Sequence, residues 1–410
     1  MAAAHLLAGQ NEVTVFEAAT RLGGHARTVL AGKRGDQPVD TGFIVFNYEN
    51  YPHLTALFDQ LNVPVAKSNM TFGASIDGGR IEYGLRNLAS VFAQPANLFR
   101  PRFLAMMRDV VRFNSRALEL SKMPGLTIRD LLEHLGTGDW FRDYYLLPLS
   151  GAIWSVPPQQ ILEFPAEAMI RFFANHALLH HSGQHQWWTV DGGSIQYVRR
   201  LEASLRAQGV VLRLGANVQA VRRGADGAQV RSQGTEWQSF DEVIFATHAD
   251  VTLALLADAT PTEKANLGAV RFQPNQAVLH ADTSIMPKRR AVWSSWVYTE
   301  AADKASDQID LTYWMNSLQP IPKGDPLFVT LNGARPIKEE LIYDQVTFQH
   351  PVYDQAAMAA QSALRADNGT NRTWFCGAWM RNGFHEDGFA SAVDVVSAMT
   401  AGPAFQMAAE

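Results

Sequence analysis

The sequence predicts an α/β fold in which a mixed α+β unit is inserted into a discontinuous first unit, and three observations predict it. Short runs of β-branched and aromatic residues, Glu12–Phe16 (EVTVF) and Val243–Ala246 (VIFA), read as buried strands. From about residue 69 to residue 184 the composition shifts to helical patterns rich in Leu, Phe, Met and Arg. The α/β pattern then resumes at Gly192-Gly193 and again at Trp374, on either side of alternating segments within 275–348.

Element by element, Ala2–Leu7 reads as the end of a helix stopped at Gly9, and the strand Glu12–Phe16 leads through Glu17 and Gly23-Gly24 to a second apolar stretch, Asp40–Phe46 (DTGFIVF). Phe99–Leu120 and Ile128–Leu135 carry helical periodicity within the inserted region. After Gly192-Gly193 come a helix over Ile195–Ala207, a strand at Val210–Leu214, the segment Val218–Val221 and the run Val243–Ala246. Asp310–Met315 (DLTYWM) and Leu327–Leu331 (LFVTL), separated by Pro and Gly turns, predict a mostly antiparallel sheet. Trp374–Cys376 reads as a strand entering Gly377, and Phe389–Met399 as a closing helix. The expected domains are 1–68, 186–272 and 370–410 for the first, and 69–185 with 273–369 for the second.

Composition sets bounds. A chain of 410 residues exceeds what one hydrophobic core serves, since single cores stop growing near roughly 250–300 residues. Its 47% hydrophobic and 18% charged residues are those of an ordinary globular protein. A net charge of −5 gives no basic field, so nucleic acid is not an expected partner. The single cysteine, Cys376, excludes an internal disulfide and fits a reducing compartment. No apolar run reaches the roughly 20 residues that span a bilayer, and the start lacks a signal-peptide pattern, so the expected location is the cytoplasm.

The strongest local signal is Val13–Thr28 (VTVFEAATRLGGHART), a strand ending in an acid and followed by paired glycines. A carboxylate at the tip of the second strand of a dinucleotide-binding fold accepts hydrogen bonds from adenosine ribose hydroxyls, which makes Glu17 the candidate. Gly23 and Gly24 would let the backbone approach a pyrophosphate, and Thr28 would add a hydroxyl donor. The competing reading is a solvated strand end with an ordinary turn. In such a unit the glycine-rich phosphate loop lies about 20 residues before the acid, which places it ahead of Met1. The sequence is therefore expected to lack the first strand and glycine loop of its own site, through a misassigned start or a truncated chain.

The spacing of Glu17, Gly23-Gly24 and Thr28 resembles the second dinucleotide motif of flavin-containing amine oxidases and phytoene-desaturase-like enzymes. The chain is most similar to the bacterial group of NAD/FAD-binding oxidoreductases, and to the flavoprotein-like part of some plant cyclopropane fatty acid synthases. The resemblance implies an FAD/NAD(P)-binding Rossmann-like domain, with FAD as cofactor. It places Asp40–Phe46, with Gly42 and Phe43, under the flavin, and a backbone contact to adenine at Val218. FCGAWMRNGFHEDGFASAV resembles the family's closing motif: Gly377 would approach the pyrophosphate or ribityl chain, and Phe384, His385 and Glu386 would face the pyrimidine edge of the flavin. A helix starting near Asp387 would aim its positive end where negative charge gathers on flavin reduction. His25 stands where relatives often carry an arginine facing the pyrophosphate, and Ala378 where many carry an acid; both shift the match towards a lipid-related branch.

His176, His180-His181 and His185 near Asp191 read as a polar interdomain stretch rather than a metal site, because helical zinc-ligand spacing is absent. Phe99–Leu120 interleaves Arg100, Arg102, Arg108, Arg112 and Arg116 with Phe103, Leu104, Met106, Met107, Val110, Val111 and Phe113. The preferred reading packs one face on the core; the alternative is a peripheral contact with an anionic membrane. Trp293, Trp296, Tyr313 and Trp314 are candidates for a pocket wall. The resulting expectation is an FAD-dependent oxidoreductase that desaturates, saturates or isomerises an acyl-like apolar substrate, with amine oxidation as the runner-up. The alternative from another class is a truncated, non-catalytic apo protein or scaffold. No catalytic acid or base is assigned, nor the electron acceptor.

Overall fold

The structure, a computed structural model, describes residues 1–154, 158–179, 185–224, 226–302 and 310–401. Helix α1 (Ala2–Leu7) leads into β1 (Thr14–Glu17), the ribbon of β2 (Thr28–Ala31) and β3 (Gln37–Asp40), then β4 (Val45–Phe46), α2 (Pro52–Gln60) and β5 (Val65–Ser68). Next come β6 (Phe72–Ile76), β7 (Ile81–Gly84) and the helices α3 (Leu88–Val91), α4 (Pro101–Leu120), α5 (Ile128–Leu135), α6 (Asp139–Phe141), α7 (Leu147–Trp154) and α8 (Ala166–Asn175). The chain returns through β8 (Trp187–Val190), α9 (Ile195–Ala207), β9 (Val211–Leu214), β10 (Val218–Gly224), β11 (Gly227–Ser232), β12 (Gln238–Phe240), β13 (Val243–Phe245), α10 (Ala249–Leu255) and α11 (Pro261–Ala269). Then follow β14 (Phe272–His280), β15 (Trp296–Thr299), β16 (Leu311–Trp314), α12 (Met315–Leu318), β17 (Phe328–Leu331), β18 (Ile342–Pro351), α13 (Gln355–Asp367), β19 (Thr373–Phe375) and α14 (His385–Ala401).

Two parallel pairs, β1–β9 and β13–β19, carry the α/β part. Helix α1 packs on α9 and α14 through Ala4, Leu201, Leu205 and Phe389. A seven-stranded sheet in the order β18-β14-β17-β16-β15-β6-β7 carries the other part; its pairs are antiparallel except β15 with β6. The largest apolar core lies between this sheet and the helices of residues 101–175, with Ile76, Ile81, Phe103, Phe113, Leu131, Ile170 and Leu279 buried in it.

One expectation is corrected here. The interval from Asn69 does not begin with helices but with the hairpin β6–β7, which adds the edge of the large sheet. Asp77 (φ 53), Gly78 (φ 63) and Gly79 (φ 90) form its left-handed turn. An Asp-Gly turn suits the right-handed twist of a tight hairpin, and this is the signal that identifies the strands. Other helices begin where the sequence predicts them for local reasons. In α5, Thr127 and Asp130 form a reciprocal capping box and Gly136 closes the helix in the left-handed conformation (φ 61).

Candidate active site

A cavity of about 2110 Å3 reaches from the parallel strands to the large sheet. Successive residues Val13–Glu17 and Val243–His248 all line it. Because consecutive strand residues point to opposite faces, the cavity meets β1 and β13 along their hydrogen-bonding edges. Its volume exceeds the roughly 300–1,000 Å3 of a pocket for one drug-sized ligand.

Ten of the twelve residues singled out in the sequence line this one cavity: Glu17, Gly23, Gly24, His25, Gly42, Phe43, Val218, Gly377, Phe384 and His385. Glu17 ends β1; its Oε1 accepts from the Ala19 N–H at 2.8 Å. Gly42 lies so close to the His25 carbonyl that a Cβ would stand 2.1 Å from it, and Phe43 N–H donates to that same oxygen at 2.9 Å. Gly377 has φ 144, and a Cβ there would come within 2.8 Å of Trp379 Nε1, which donates to the Thr247 carbonyl at 3.0 Å. The Phe43 ring stacks on His385 with centroids 4.0 Å apart, and the His385 Nε2 is 2.6 Å from the Tyr197 hydroxyl.

Two of the twelve are turned elsewhere, and both cap helices from a distance. Thr28 does not face the cavity: its hydroxyl donates to Asp40 at 2.6 Å and accepts from Ile195 N–H at the start of α9 at 3.0 Å. Asp40 completes that cap, accepting from the Ser194 N–H and hydroxyl and from Gln319 Nε2. Glu386 is buried with its carboxylate on the His53 and Leu54 N–H groups, each at 2.9 Å, at the N-terminus of α2. The unpaired donors of a helix start attract a carboxylate more strongly than a solvated loop does, which is why Glu386 points there and not to the cavity. Helix α14 starts at His385, two residues before the expected position, with Asp387 accepting from Phe384 N–H at 2.9 Å. Burial pushes the Asp387 carboxyl up to about 6.

Four histidines surround the middle of the cavity. His25 stacks on Phe348 at 4.7 Å and lies 5.8 Å from His350 and 6.1 Å from His248. The His350 ring is fixed by a chain that begins at a backbone donor. Gln276 N–H donates to Asn332 Oδ1, Asn332 Nδ2 to Asn275 Oδ1, and Asn275 Nδ2 to His350 Nδ1 at 2.7 Å. His350 Nδ1 is thereby an acceptor and Nε2 carries the proton. Burial, with help from neighbouring imidazoles, pushes His25 and His385 down to about 4 and His350 to about 3. Burial lowers His248 as well. At neutral pH these groups are uncharged hydrogen-bonding partners.

The far part of the cavity is apolar. Met70, Phe72, Leu85, Val110, Leu149, Ile153, Trp296, Tyr313 and Leu331 line it. Of the four aromatic candidates from the sequence, Trp296 and Tyr313 are in this wall, whereas Trp293 and Trp314 pack on each other and Trp293 on Phe328. Where the two parts meet, His176 stacks on Phe172 (3.9 Å), which itself stacks on Phe384 (4.8 Å). Its Nδ1 is 3.0 Å from the Phe172 carbonyl, which only accepts, so Nδ1 carries the proton and Nε2 a lone pair. Burial holds His176 at about 4. His180 and His181 lie outside the described residues.

A model of the flavin containing amine oxidoreductase family matches residues 1–280. The chain belongs to that family. Across nearly the whole chain, family-like folds recur in solved structures. A CLA-producing fatty acid isomerase from P. acnes covers 97% of this chain and 95% of its own, with a TM-score of 0.67 at 14% identity. A putative protoporphyrinogen oxidase from Exiguobacterium sp. 255-15 (97% and 95%, TM-score 0.69, 14% identity) and a cyclohexylamine oxidase from Brevibacterium oxydans IH-35A (97% and 96%, TM-score 0.66, 14% identity) match as well. No curated protein sequence matches the chain.

As a member of the flavin-containing amine oxidoreductase family, the chain is an FAD-dependent oxidoreductase. The residues present fit that cofactor. Glu17 offers a carboxylate at a strand tip on the cavity, a Cβ on Gly24 (φ 53) would project into open space, and His25 Nε2 is buried without a hydrogen-bond partner. Sequence reasoning missed Asp40 as an anchor, the Asn332–Asn275–His350 chain and the placement of His176. The first two depend on partners more than fifty residues away. His176 was legible only as part of a polar cluster.

Proposed function

We propose that the chain acts on a double bond of an apolar, acyl-like substrate, by desaturation, saturation or isomerisation, with FAD held by the residues at the parallel strands. In this reading Glu17 holds the ribose hydroxyls, the backbone at Gly23, Gly24 and Gly377 admits the diphosphate, and Val218 contacts the adenine. Gly42 and Phe43 lie under the ring system, with Phe384 and His385 at its edge. Bound FAD supplies the two-electron acceptor or donor.

The observation that carries the substrate class is the charge distribution along the cavity wall. Its acidic residues, Glu12, Glu17, Asp226, Asp241 and Glu242, all come from the strands and turns of the cofactor part. Around Met70, Phe72, Val110, Leu149, Trp296 and Leu331 no carboxylate lines the described wall. An ammonium group brought there would lose its hydration without gaining a counter-ion, whereas a hydrocarbon chain gains about 0.8 kcal/mol per buried CH2. The uncharged imidazoles add no formal charge, and the charged side chain beside Leu85 on this wall, Arg86, is a cation that repels an ammonium group. The apolar wall orients the chain and excludes water, and the His176 Nε2 lone pair, between the two parts, is placed to hold a proton. The fold of a protein described as a fatty acid isomerase supports the same reading.

Amine oxidation is the second reading. The edge-to-face pair Trp296–Tyr313, 5.6 Å between centroids, favours it, because aromatic faces hold ammonium groups. The test is anaerobic titration of the FAD-reconstituted chain with saturated and unsaturated fatty acids and with primary amines, following flavin absorbance and acyl products. Altered acyl chains support the proposal. Bleaching by amines alone replaces it with amine oxidation, and a chain that takes up FAD but leaves both classes untouched refutes both.

A further inference from the structure

Helix α4 has two apolar faces. Phe103, Met106, Phe113 and Ala117 point inward and are buried, which is what one core-facing stripe requires. On the opposite side Leu104, Arg108, Val111, Ser115, Leu118 and Lys122 follow one another at spacings of three and four residues and are all exposed. A helix that packs only one face on a core carries polar residues outside; this one alternates aliphatic side chains with Arg108, Ser115 and Lys122 there, with Val111 68% exposed.

The neighbouring segments extend the same surface. Leu88 in α3 is 77% exposed and Phe99, just before α4, 83%. Residues 86–122 contain seven Lys and Arg against two Asp and Glu, so this stretch carries +5 in a chain whose total is −5. One of the two acids, Asp109, is buried and accepts from the Gly138 N–H and from the Arg108 guanidinium, while Glu119 is paired with Lys122. Arg108 and Lys122, within the stripe itself, have side chains 66% and 63% exposed. The surface also opens into the cavity: Arg86, Asn87, Leu88 and Val91 line it from α3 and its approach, and Val110 and Asn114 from α4.

We propose that the face made by α3, Phe99 and the outer stripe of α4 docks on an anionic phospholipid bilayer, with the cavity mouth between α3 and α4 opening against the lipid. Exposed aliphatic and aromatic side chains enter the headgroup boundary, and the arginines beside them meet lipid phosphates; neither part alone gives stable attachment. Charge complementarity selects this occupant. A second copy would oppose one basic stretch to another, +5 against +5 over residues 86–122, and a purely apolar protein partner would take the exposed Arg108 and Lys122 of the stripe out of water. Continuity with the cavity gives the arrangement its use, since an acyl chain can pass from the bilayer into the apolar part without crossing water. The docking goes beyond the proposed reaction and stands or falls separately from it, because vesicle binding is read without turnover.

The test is co-sedimentation of the full chain with vesicles of phosphatidylcholine alone and of phosphatidylcholine mixed with phosphatidylglycerol, at low and high salt. Binding to the anionic vesicles that salt weakens is expected. The pair Phe99→Glu with Val111→Glu should lower it by at least about tenfold, and each of Arg108→Gln and Lys122→Gln by roughly fivefold. All four side chains point to solvent, so circular dichroism and the thermal midpoint should match the parent chain and separate lost docking from lost folding. No binding to either vesicle, or binding that these folded variants leave unchanged, overturns the proposal. Concentration-dependent dimerisation abolished by Phe99→Glu, without vesicle binding, overturns it in favour of an interface between copies.

Discussion

The carboxylate of Asp40 is the point at which the ribbon β2–β3, the start of α9 and the large-sheet part are tied together, and Asp40→Asn tests that tie. Asp40 is 1% exposed, and it accepts from Thr28 Oγ1 (2.6 Å), Ser194 N–H (2.9 Å), Ser194 Oγ (2.7 Å) and Gln319 Nε2 (2.9 Å). An asparagine amide in place of Oδ2 sets an N–H against the Gln319 donor, and a buried donor left unpaired costs about 1–3 kcal/mol. The pH dependence is a second, independent signature. Burial raises the Asp40 carboxyl from 3.8 to about 6, although its donors pull the other way. The folded-state value lies above the unfolded one, so this stabilisation is fully present below 3.8 and is lost as pH rises through about 6. Near pH 5 protonation of Asp40 adds about 1–2 kcal/mol to the parent chain and nothing to the variant. Urea unfolding of both chains near pH 7.5 and near pH 5 should show the gap between them widening on acidification. A gap that narrows would mean that the donors outweigh burial and hold the folded carboxyl below its ordinary value.

Three other perturbations address the cavity itself. His176→Phe keeps the stacking on Phe172 but removes the Nε2 lone pair, and turnover per bound flavin should fall by about a hundredfold with flavin content unchanged; equal turnover removes His176 from proton handling. Gly377→Ala forces a Cβ within 2.8 Å of Trp379 Nε1 at φ 144, a strain of about 1–3 kcal/mol, so the flavin-to-protein absorbance ratio after reconstitution should drop; a full ratio shows that the loop yields without loss. His25, His176 and His385 are held at about 4 and His350 at about 3, below the 6.5 of a free imidazole. Their stability contribution is complete above 6.5 and is lost as pH falls towards about 4, outweighing the opposing contribution of Asp40, Asp310 and Asp387. Unfolding midpoints followed by tryptophan fluorescence should therefore fall between pH 7 and about pH 4.5, and a flat profile would show that the imidazoles are not buried neutral.

What the sequence made legible is local. Ile128–Leu135 and Ile195–Ala207 begin and end as predicted, because hydrophobic periodicity and nearby turn residues set them. Glu17, Gly23 and Gly24, which line the cavity, stood out because the strand-acid-glycine pattern packs one site's requirements into a few consecutive residues, whereas Gly377 stood out only through the resemblance of the closing motif. The hairpin β6–β7 was lost inside a segment averaged as helical, although Asp77-Gly78 marks its turn. Glu386 and Thr28 were assigned to a ligand because their destinations, the starts of α2 and α9, lie 332 and 167 residues away along the chain. A carboxylate or hydroxyl near a glycine turn looks the same in sequence whether it serves a cofactor or a distant helix end.

Helix α4 shows the same limit at the level of a face. Its sequence repeats apolar residues often enough for two stripes, and periodicity alone shows that both exist without saying which one the core takes. Choosing a single packed face was the reading that a soluble helix normally deserves. The structure assigns Phe103, Met106, Phe113 and Ala117 to the core, where bulky rings fill the space beneath the large sheet. That assignment leaves Leu104, Val111 and Leu118, seven residues apart, facing outward among arginines. The proposed docking gives the stripe its use because Leu88 of α3 and Val110 and Asn114 of α4 line the cavity, whereas an apolar strip far from any cavity wall would have no substrate to pass on.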